Sequence, residues 1–482
     1  MPDYPSFIGG SYTAQSPIAD QERTINWYVE SSQVPGASEK FVLYPTPGAS
    51  ELDDAGTGTL GRGHIAIGGR EFCVIGTKLY EVDSSGGLTD RSGAVTLAND
   101  QYPATISSNG DGGGQLFITS GTNGYIYDLD LDTLGASIAN IAGKASMGAS
   151  IDGYFLALDS ATSTLWISDL LDGTTWDPTQ FIQRSIQPDP WVAVNVANRL
   201  IYLLGDQTSE IWYNAGTSPI PFVPHPSGLI EYGCAAPFSA EVVGSSLCWL
   251  SQTQNGSGSI VRADSFSVTT ISTYAMQVAI NGFVAIADAI GDSYEDLGHT
   301  FYNLTFPAAA ATLSWDAETG IWHERGTWDA TSATYDCWRL VHHAYSFGEH
   351  RALDLRGDSI YRMSSDVFTD VGGGIIRRLR RAPAMVHENK RLFYSSFELN
   401  VETGLAASGI DAQVMMRQSN DGGKTWGNER LRTAGELGQY STRVKWNRCG
   451  SGRKRVFEVS VSAASAWRVL GAWLEVIPSG DV

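Results

Sequence analysis

The sequence predicts an all-β protein: a β-propeller of six or seven blades, followed by a smaller antiparallel β-sandwich-like domain. Short apolar runs such as EFCVIG, QLFITS and LIYLLG end at Gly, Asp, Asn or Ser, as strands joined by tight turns do. A unit of strand, turn and strand also recurs along most of the chain. Only 17% of the 482 residues are charged and 11% are aromatic, which excludes a coiled coil and a disordered chain.

The recurring unit carries one aromatic or β-branched anchor in its second strand. The seven anchors are Tyr80, Tyr127, Trp166, Trp212, Val261, Trp322 and Tyr361. They cover 281 residues in six steps of about 47 residues, the length of a four-stranded propeller blade. The individual steps of 47, 39, 46, 49, 61 and 39 residues are uneven, which favours blades with loop insertions over a solenoid. A long array of β-sandwiches is the alternative.

The chain is predicted to have three parts. Residues 1–50 form an extended segment that docks or closes the propeller, because FVLY at 41–44 is strand-like and a propeller needs a strand to complete its last blade. Residues 51–374 form the propeller. Residues 375–482 form a basic domain of five or more antiparallel strands, and the boundary lies near Gly374. Only a few stretches, such as VAIADAIG at residues 284–291, have the pattern of a helix.

Charge is distributed unevenly between these parts. Residues 371–482 hold 17 Lys and Arg against 10 Asp and Glu, a net charge of +7, whereas residues 1–370 hold 15 against 42, a net charge of −27. An acidic surface of that size repels nucleic-acid phosphates, so tight DNA or RNA binding by the first part is not expected. The basic domain is suited to docking on another protein.

Targeting and redox signals are missing from the sequence. The five cysteines are odd in number and far apart, so that neither a disulfide framework nor a zinc ribbon is expected. The first residues lack a basic and an apolar signal region, and no apolar run approaches the ~20 residues that cross a bilayer, so we expect no membrane insertion.

One motif in the C-terminal domain has a defined geometry. The segment SNDGGKTW matches the Asp-box pattern at Ser419, Asp421, Gly423, Thr425 and Trp426. In such a hairpin the carboxylate accepts backbone N–H bonds, Gly supplies a positive φ, and Trp covers the base of the turn. We predict a structural role for it, because the motif itself carries no reaction.

A basic segment lies between the propeller and the C-terminal domain. Arg377, Arg378, Arg380 and Arg381 lie within five residues, and in an extended chain they point in alternating directions. They therefore cannot converge on one carboxylate as the arginines of a sialidase do. We predict a solvated or interface turn, and these four residues are the candidate docking residues.

No catalytic residue, metal ligand or cofactor site is predicted. Asp128, Asp130 and Asp132 have the spacing of a calcium loop but lack its later glycine and glutamate, and alternation with Leu indicates a strand with one exposed face. The histidines at 342, 343 and 350 lack a zinc-binding spacing. NGDGGGQ lacks the Lys and the helix of a phosphate loop, and no nucleophile elbow occurs. The chain is therefore predicted not to be an enzyme.

Several segments, taken in order, resemble the packaged-DNA stabilisation proteins of short-tailed phages, also called tail hub or nozzle proteins. They are ERTINWYVE, LYPTPG, HTFYNLTFP with TLSWDAETGIWHERG, and VFTDVGGGIIRRLRRAP. The most specific is MMRQSNDGGKTWGNERLRTAGELGQYSTRVKWNRCGSGRKRVFEVSVS at 415–462. Together they span most of the chain.

The resemblance implies a virion protein of a short tail, assembled in the bacterial cytoplasm. It implies a homohexameric hub or nozzle below the portal and its adaptor ring, next to tail needle or fibre proteins. Such a hub retains packaged DNA and forms part of the ejection channel. From the acidic charge of residues 1–370, we expect the viral double-stranded DNA to pass without tight binding. The alternatives are a carbohydrate-binding or sialidase-like propeller and a trimeric receptor-binding tail protein.

Overall fold

Seven antiparallel sheets follow one another along residues 61–364. The structure is a computed structural model, and it describes residues 3–16, 19–34, 39–98, 101–184, 187–253, 256–388, 390–405 and 410–478. Each sheet has four strand positions, and we number the sheets blades 1 to 7 in chain order. The first strands of all seven blades line one common cavity, so the blades form a closed circle.

The strands of each blade run from the centre of the circle outwards. Blades 1 to 3 consist of Gly61–Ile67, Arg70–Ile75, Lys78–Val82 and Leu88–Asp90; Thr105–Ser108, Gln115–Ser120, Asn123–Asp128 and Thr133–Leu134; and Met147–Ile151, Tyr154–Asp159, Thr164–Ile167 and Phe181–Gln183. Blades 4 and 5 consist of Trp191–Ala197, Leu200–Gly205, Ser209–Asn214 and Phe222–Ile230; and Gly233–Cys234 with Glu241–Val243 at the inner position, then Ser246–Thr253, Gly256–Asp264 and Ser267–Thr270. Blades 6 and 7 consist of Ile290–Asp296, His299–Phe306, Ala311–Asp316 and Trp322–Arg325; and Leu340–Ser346, Glu349–Asp354, Ser359–Ser364 and Gly48–Asp54.

The second strands of the blades are buried on both faces, because each blade packs between two others. In Leu200–Gly205 the last five residues are all buried. Successive residues of a strand point to opposite faces, so both faces of this strand are covered. The apolar runs that predicted strands thus mark strands covered on both sides, rather than the half-buried strands that alternation indicates.

The repeat anchors identify the third strand of six blades. The exception is Trp322, which lies on the fourth strand of blade 6, while Trp315 holds the third-strand position. Counted through Trp315, the last two steps become 54 and 46 residues, so the third strands are more evenly spaced than the anchors predicted from the sequence. The predicted fold class is confirmed, with seven blades.

The second body is a sandwich of two sheets built from both ends of the chain. One sheet contains Trp27–Ser31, Phe41–Pro45, Val469–Pro478, Leu392–Val401 and Val444–Gly452 in that order. The other contains Gln21–Ile25, Arg378–Arg381, Val456–Val461, Gln413–Ser419 and Arg430–Thr433, with Tyr12–Thr13 beside the first of these strands. Tyr4, Phe7 and Trp27 belong to the same buried core as Trp446 and Phe457.

The first 50 residues are therefore not a free extended segment. The predicted closing strand at 41–44 lies in the sandwich, where it pairs with Trp27–Ser31. The propeller is closed instead by Gly48–Asp54, which pairs with Ser359–Ser364. The strand Phe41–Pro45 ends at its proline, and after Thr46 and Pro47 the chain enters the propeller at Gly48. A domain boundary near Gly374 stays a proposal, and Gly374 lies in the link from blade 7 to the sandwich.

Few other elements occur in the described residues. Two-residue and three-residue strands pair as Thr327–Asp329 with Thr334–Asp336 and as Thr369–Asp370 with Gly374–Ile375. Short 3-10 turns lie at Ala139–Ile141, Pro237–Ser239 and Val371–Gly373. The α-helix is Tyr274–Asn281, so the helix expected at 284–291 was wrong; Thr273, whose hydroxyl accepts from the Met276 amide, starts it ten residues earlier.

No helix in the part of the chain that the structure describes is long and apolar enough to cross a bilayer.

Candidate functional site

The axis of the propeller is a narrow polar channel of about 380 Å³. Its lining includes His64, Glu241 and Asp292, and it is mostly polar. Burial raises the pKa of Glu241 to about 8 and that of Asp292 to about 6. Asp292 accepts the His343 amide at 2.6 Å, so it fixes the neighbouring inner strand of blade 7.

Blades 7 and 1 meet in a network of buried charges, which we call the closing seam. The Glu71 carboxylate of blade 1 accepts from Arg351 Nη1 at 2.9 Å and pairs with His64 Nε2 at 2.7 Å. Arg351 also donates to the carbonyl oxygens of Asp83 and Ser84, at 2.8 Å each. The side chains of Glu71, His64 and Arg351 have no exposed surface. Hydrogen bonds from the His64 and Ser346 side chains help keep the pKa of Glu71 below its usual value, despite burial.

The propeller and the sandwich are joined by hydrogen-bonded strands, which we call the junction. Ile25 of the sandwich sheet pairs in parallel with Glu324 of blade 6, so one sheet runs from the propeller into the sandwich. Arg23 pairs with Glu324 through Nε at 3.0 Å. The Asn26 amide donates to the carbonyls of Gly326 and Arg377, at 2.8 and 2.9 Å, and ties blade 6 to the link.

The four candidate docking arginines lie at this junction and do not form a docking surface. Arg378 and Arg380 are fully buried, Arg381 has a side chain 12% exposed, and Arg377 one 15% exposed. They were predicted on a solvated or interface turn, but the segment is a strand paired on both sides, with Gln21–Ile25 and Val456–Val461. The prediction was wrong because alternate residues of a strand between two partners face a packed layer, not solvent.

Arg380 holds the N-terminal residues against the sandwich. Its guanidinium donates to the carbonyl oxygens of Phe7 and Gly10, at 2.6 and 2.9 Å, and to the Thr24 hydroxyl at 3.0 Å. It also pairs with Glu22 at 2.5 Å. Every donor direction of this buried cation is thus used within the chain, so none remains for another protein.

Arg381 brings the arginine segment and the Asp box together. The guanidinium carbons of Arg381 and Arg417 each lie 4.8 Å from the centre of the Trp426 ring. Glu458 binds both cations, Arg381 Nε at 2.8 Å and Arg417 Nε at 2.5 Å. Two groups that the sequence analysis treated separately are therefore one cluster, and Arg417 and Glu458 were missed because no short motif contains them.

Arg378 differs from its neighbours. None of its guanidinium nitrogens has a hydrogen-bond partner among the residues that the structure describes. Burial lowers its pKa to about 10, because the charged form has lost its hydration, and Asp370 compensates only in part. Arg377, by contrast, pairs with Glu429 at 2.7 Å and lies 4.7 Å from the centre of the Trp328 ring.

The Asp box forms a closed turn. The Asp421 carboxylate accepts from the backbone amides of Lys424 and Thr425, at 2.9 Å each, and from the Thr425 hydroxyl at 2.6 Å. The Gly423 amide donates to the Ser419 hydroxyl at 2.8 Å, and Gly423 has φ +92°. The Ser419 hydroxyl also donates to Asp421, and its bond, together with those of the Thr425 hydroxyl and amide, holds the pKa of Asp421 well below its usual range. Its structural role stays a prediction.

The segments weighed for metal and catalytic chemistry have other contacts. Asp128 accepts the amides of Asp130 and Leu131, at 3.0 and 2.9 Å, so the DLDLD segment is a turn after a strand rather than the strand expected. His343 and His350 hydrogen-bond each other at 2.9 Å. In the described part of the chain, no three His, Cys, Asp or Glu side chains come together as a metal ion requires.

Comparison with protein families gives two matches in chain order. The model of the bacteriophage P22 Gp10 β-propeller matches residues 10–368, and the model of the P22 Gp10 β-sandwich matches residues 377–476. The tail hub protein gp10 of Salmonella phage P22 is 21% identical over 419 residues, which cover 84% of this chain and 85% of that protein.

Two solved structures that match part of the chain have TM-scores below 0.5. The N-terminal domain of Nup159 overlaps 71% of this chain and 98% of its own, with a TM-score of 0.40 and 10% identity. A chain of the mitotic checkpoint complex overlaps 70% and 96%, with a TM-score of 0.43 and 11% identity. The two family matches cover most of the chain, and they confirm the resemblance and the expectation that it is a structural protein rather than an enzyme. The chain belongs to the P22 Gp10 family of phage tail hub proteins.

Proposed function

We propose that this chain forms a six-fold ring in the tail of a short-tailed phage. The ring attaches below the portal-side adaptor, contacts needle or fibre proteins on its other side, retains packaged DNA and forms part of the ejection channel. The observation that carries the proposal is the family match, which runs through propeller and sandwich in order. The junction supports it, because strands from the two bodies share one sheet and so form a stiff wall unit.

The size of the propeller channel supports a ring of several copies. Its inner strands hold about five residues, or about 16 Å at about 3.3 Å per residue. A cavity of about 380 Å³ over that length is about 6 Å wide. The major groove of DNA alone is about 12 Å wide, so duplex DNA cannot pass through the propeller. The DNA path of a tail built from this chain therefore runs between copies.

The charge of the propeller supports a path that DNA crosses without sticking. Residues 48–370 hold 37 acidic against 13 basic residues. Each cation that binds a phosphate adds salt-dependent affinity, with a slope near −0.9 in log K against log salt. An acidic wall adds little of this affinity, so retention of the genome is mechanical and rests on contacts between subunits.

Electron microscopy of particles that carry this chain tests the ring. We expect six copies below the adaptor, and particles without the chain should package DNA and then lose it to added nuclease. Three intertwined copies, or full retention of DNA without the chain, would contradict the proposal.

A gel-shift titration with duplex DNA at about 150 mM salt tests the passive wall. Non-specific DNA-binding proteins have dissociation constants of about 10⁻⁴ to 10⁻⁶ M under these conditions. We expect binding no tighter than this range. Submicromolar, salt-sensitive binding by the chain would contradict a passive wall.

A further inference from the structure

The end of the sandwich farthest from the junction exposes two edge strands, which we call the far edge: Arg430–Thr433, Val444–Gly452 and the loop between them. Among the strands that the structure describes, Arg430–Thr433 pairs only with Gln413–Ser419, and Val444–Gly452 pairs only with Leu392–Val401. Arginines cover the gap between the two edges: Arg430 Nη2 donates to the Asn447 carbonyl at 2.6 Å, and Arg432 Nε donates to the Lys445 carbonyl at 2.9 Å.

The far edge carries positive charge that the chain does not neutralise. Residues 430–452 contain five Lys and Arg and one acidic residue. Arg430 and Arg432 donate to carbonyl oxygens, and neither they nor Arg448 forms an ion pair within the described residues; Arg443 pairs with Glu398 at 2.6 Å. The far edge therefore attracts an acidic partner.

Large apolar side chains stand among these cations. Leu431 is 54% exposed, Leu437 58% and Tyr440 70%. Charges on edge strands guard against edge-to-edge pairing, which explains the arginines but not the apolar side chains beside them. Tyr and Arg together with apolar residues are typical of protein interfaces, whereas nucleic acid binding needs cations at phosphates. The combination favours a protein partner over DNA.

A complementary surface lies on the propeller, at the mouth of the channel beside blades 6 and 7. We call it the mouth patch: Glu295, Asp296, Leu297 and Tyr345, at the rim of a cavity of about 590 Å³. Leu297 is 68% exposed and Tyr345 59%. Neither carboxylate forms an ion pair in the described part of the chain, so this patch has the opposite charge and similar apolar content.

We propose that the far edge of one copy docks on the mouth patch of a second copy of this chain. The partner is favoured by charge, because in every copy the sandwich residues 1–47 and 371–482 have a net charge of +4 and the propeller residues 48–370 one of −24. A contact between two propellers would instead bring two acidic surfaces together. A contact between two different patches is a head-to-tail contact. Such a contact closes into a ring when the rotation from one copy to the next is a whole fraction of a full turn. The inference rests on the proposed ring and names its subunit contact.

Charge reversal tests the contact by sedimentation of the full chain at about 0.05 M salt, where exposed charges act over more than 10 Å. We expect self-association that weakens more than about tenfold in Arg432→Glu/Arg448→Glu and in Glu295→Lys/Asp296→Lys. The variant with all four changes restores the attraction and should associate again. Two controls each reverse one charge outside the two patches: Arg468→Glu in the sandwich and Glu318→Lys in blade 6, which should associate normally.

Other results overturn the proposal. The proposal is wrong if the wild-type chain stays monomeric at every concentration. It is also wrong if the variant with all four changes associates no more strongly than the two double variants. If duplex DNA binds the wild type below 1 μM and the far-edge variant loses only that binding, the partner is DNA and the contact is wrong. If particles show six copies while the double variants assemble normally, the contact fails but the ring stands; three copies in the particle would remove the ring itself.

Discussion

The closing seam and the junction are both buried, charged contacts between residues far apart in sequence, but they satisfy their charges differently. In the seam, Arg351 binds Glu71 and two backbone carbonyls. In the junction, Arg380 is equally well satisfied, whereas Arg378, two residues earlier, has no hydrogen-bond partner in the described part of the chain.

This difference separates charges that hold the fold from one that opposes it. A buried charge with good partners is costly to break, because its loss leaves the partner charge unpaired. A buried charge without partners destabilises the folded state by its full desolvation free energy, because no ion pair or hydrogen bond compensates for the lost hydration. We therefore expect substitutions at the seam and at Arg378 to change stability in opposite directions.

The largest effect is expected at the seam. Arg351→Ala leaves Glu71 buried with only His64 and Ser346, and should lower the free energy of unfolding by about 3 to 5 kcal/mol. Chemical denaturation followed by tryptophan fluorescence measures it. Arg362→Ala is the matched control, because that side chain is 41% exposed and contacts Glu349 at 3.4 Å; it should cost at most about 1 kcal/mol. A loss at Arg351 as small as that of the control would show that the seam does not lock the propeller.

The opposite sign is expected at Arg378. Arg378→Met keeps the length and apolar stem of the side chain and removes the unpaired charge, so the free energy of unfolding should rise by about 1 to 4 kcal/mol. Arg380→Met is the control and should destabilise, because five of its contacts are lost. Destabilisation by both variants would mean that Arg378 is satisfied by ordered water, and the contrast between the two regions would fail.

A smaller loss is expected at the cluster that links the junction to the Asp box. Trp426→Ala removes a half-buried ring that lies against two guanidinium groups, and should cost about 2 kcal/mol. Arg417→Ala and the double variant complete a cycle that isolates the ring–cation term, expected at about 0.5 to 2 kcal/mol. A coupling of zero would mean that the ring contributes through its buried area alone.

The propeller was predictable because its signal is local and repeated. A strand, a turn and an anchored strand recur in every blade, and the anchors Tyr80 to Trp212 fall on the same strand each time. The family was predictable from segments such as 415–462, whose residues are specific. The sequence predicts that an N-terminal strand closes the propeller, but not which strand. Any strand just before the first blade can pair with the open edge of the last one, and Gly48–Asp54 has a weaker strand composition than FVLY.

The junction was not predictable, because its partners are set by tertiary packing. Nothing in RRLRR tells whether its arginines face water or the carbonyls of Phe7 and Gly10, which are about 370 residues away. Composition favours solvent for four arginines, and that general rule failed because the two chain ends form one sandwich. Glu458 and Arg417 likewise gain their roles only when strands from separate segments become neighbours.

The smallest effect separates the seam from the rest of the chain by its response to pH. His342 lies in blade 7 at φ +56°, its carbonyl accepts from His64 Nδ1 at 2.8 Å, and burial lowers its pKa to about 3. A histidine with a lowered folded pKa stays neutral while the unfolded chain gains a proton below about 6.5, so stability falls as pH drops from there. Glu71 has a lowered pKa, so its contribution to stability persists down to the usual carboxyl range and is lost only below it.

The variant His342→Asn tests this, because Asn tolerates the positive φ and does not titrate. The free energy of unfolding that is lost between pH 7 and pH 5 should be smaller in this variant than in the parent by about 1 to 2 kcal/mol. Unfolding curves at both pH values measure this, and His387→Asn at an exposed position is the control. Equal pH dependence for parent and His342→Asn would mean that the seam does not sense pH through this histidine.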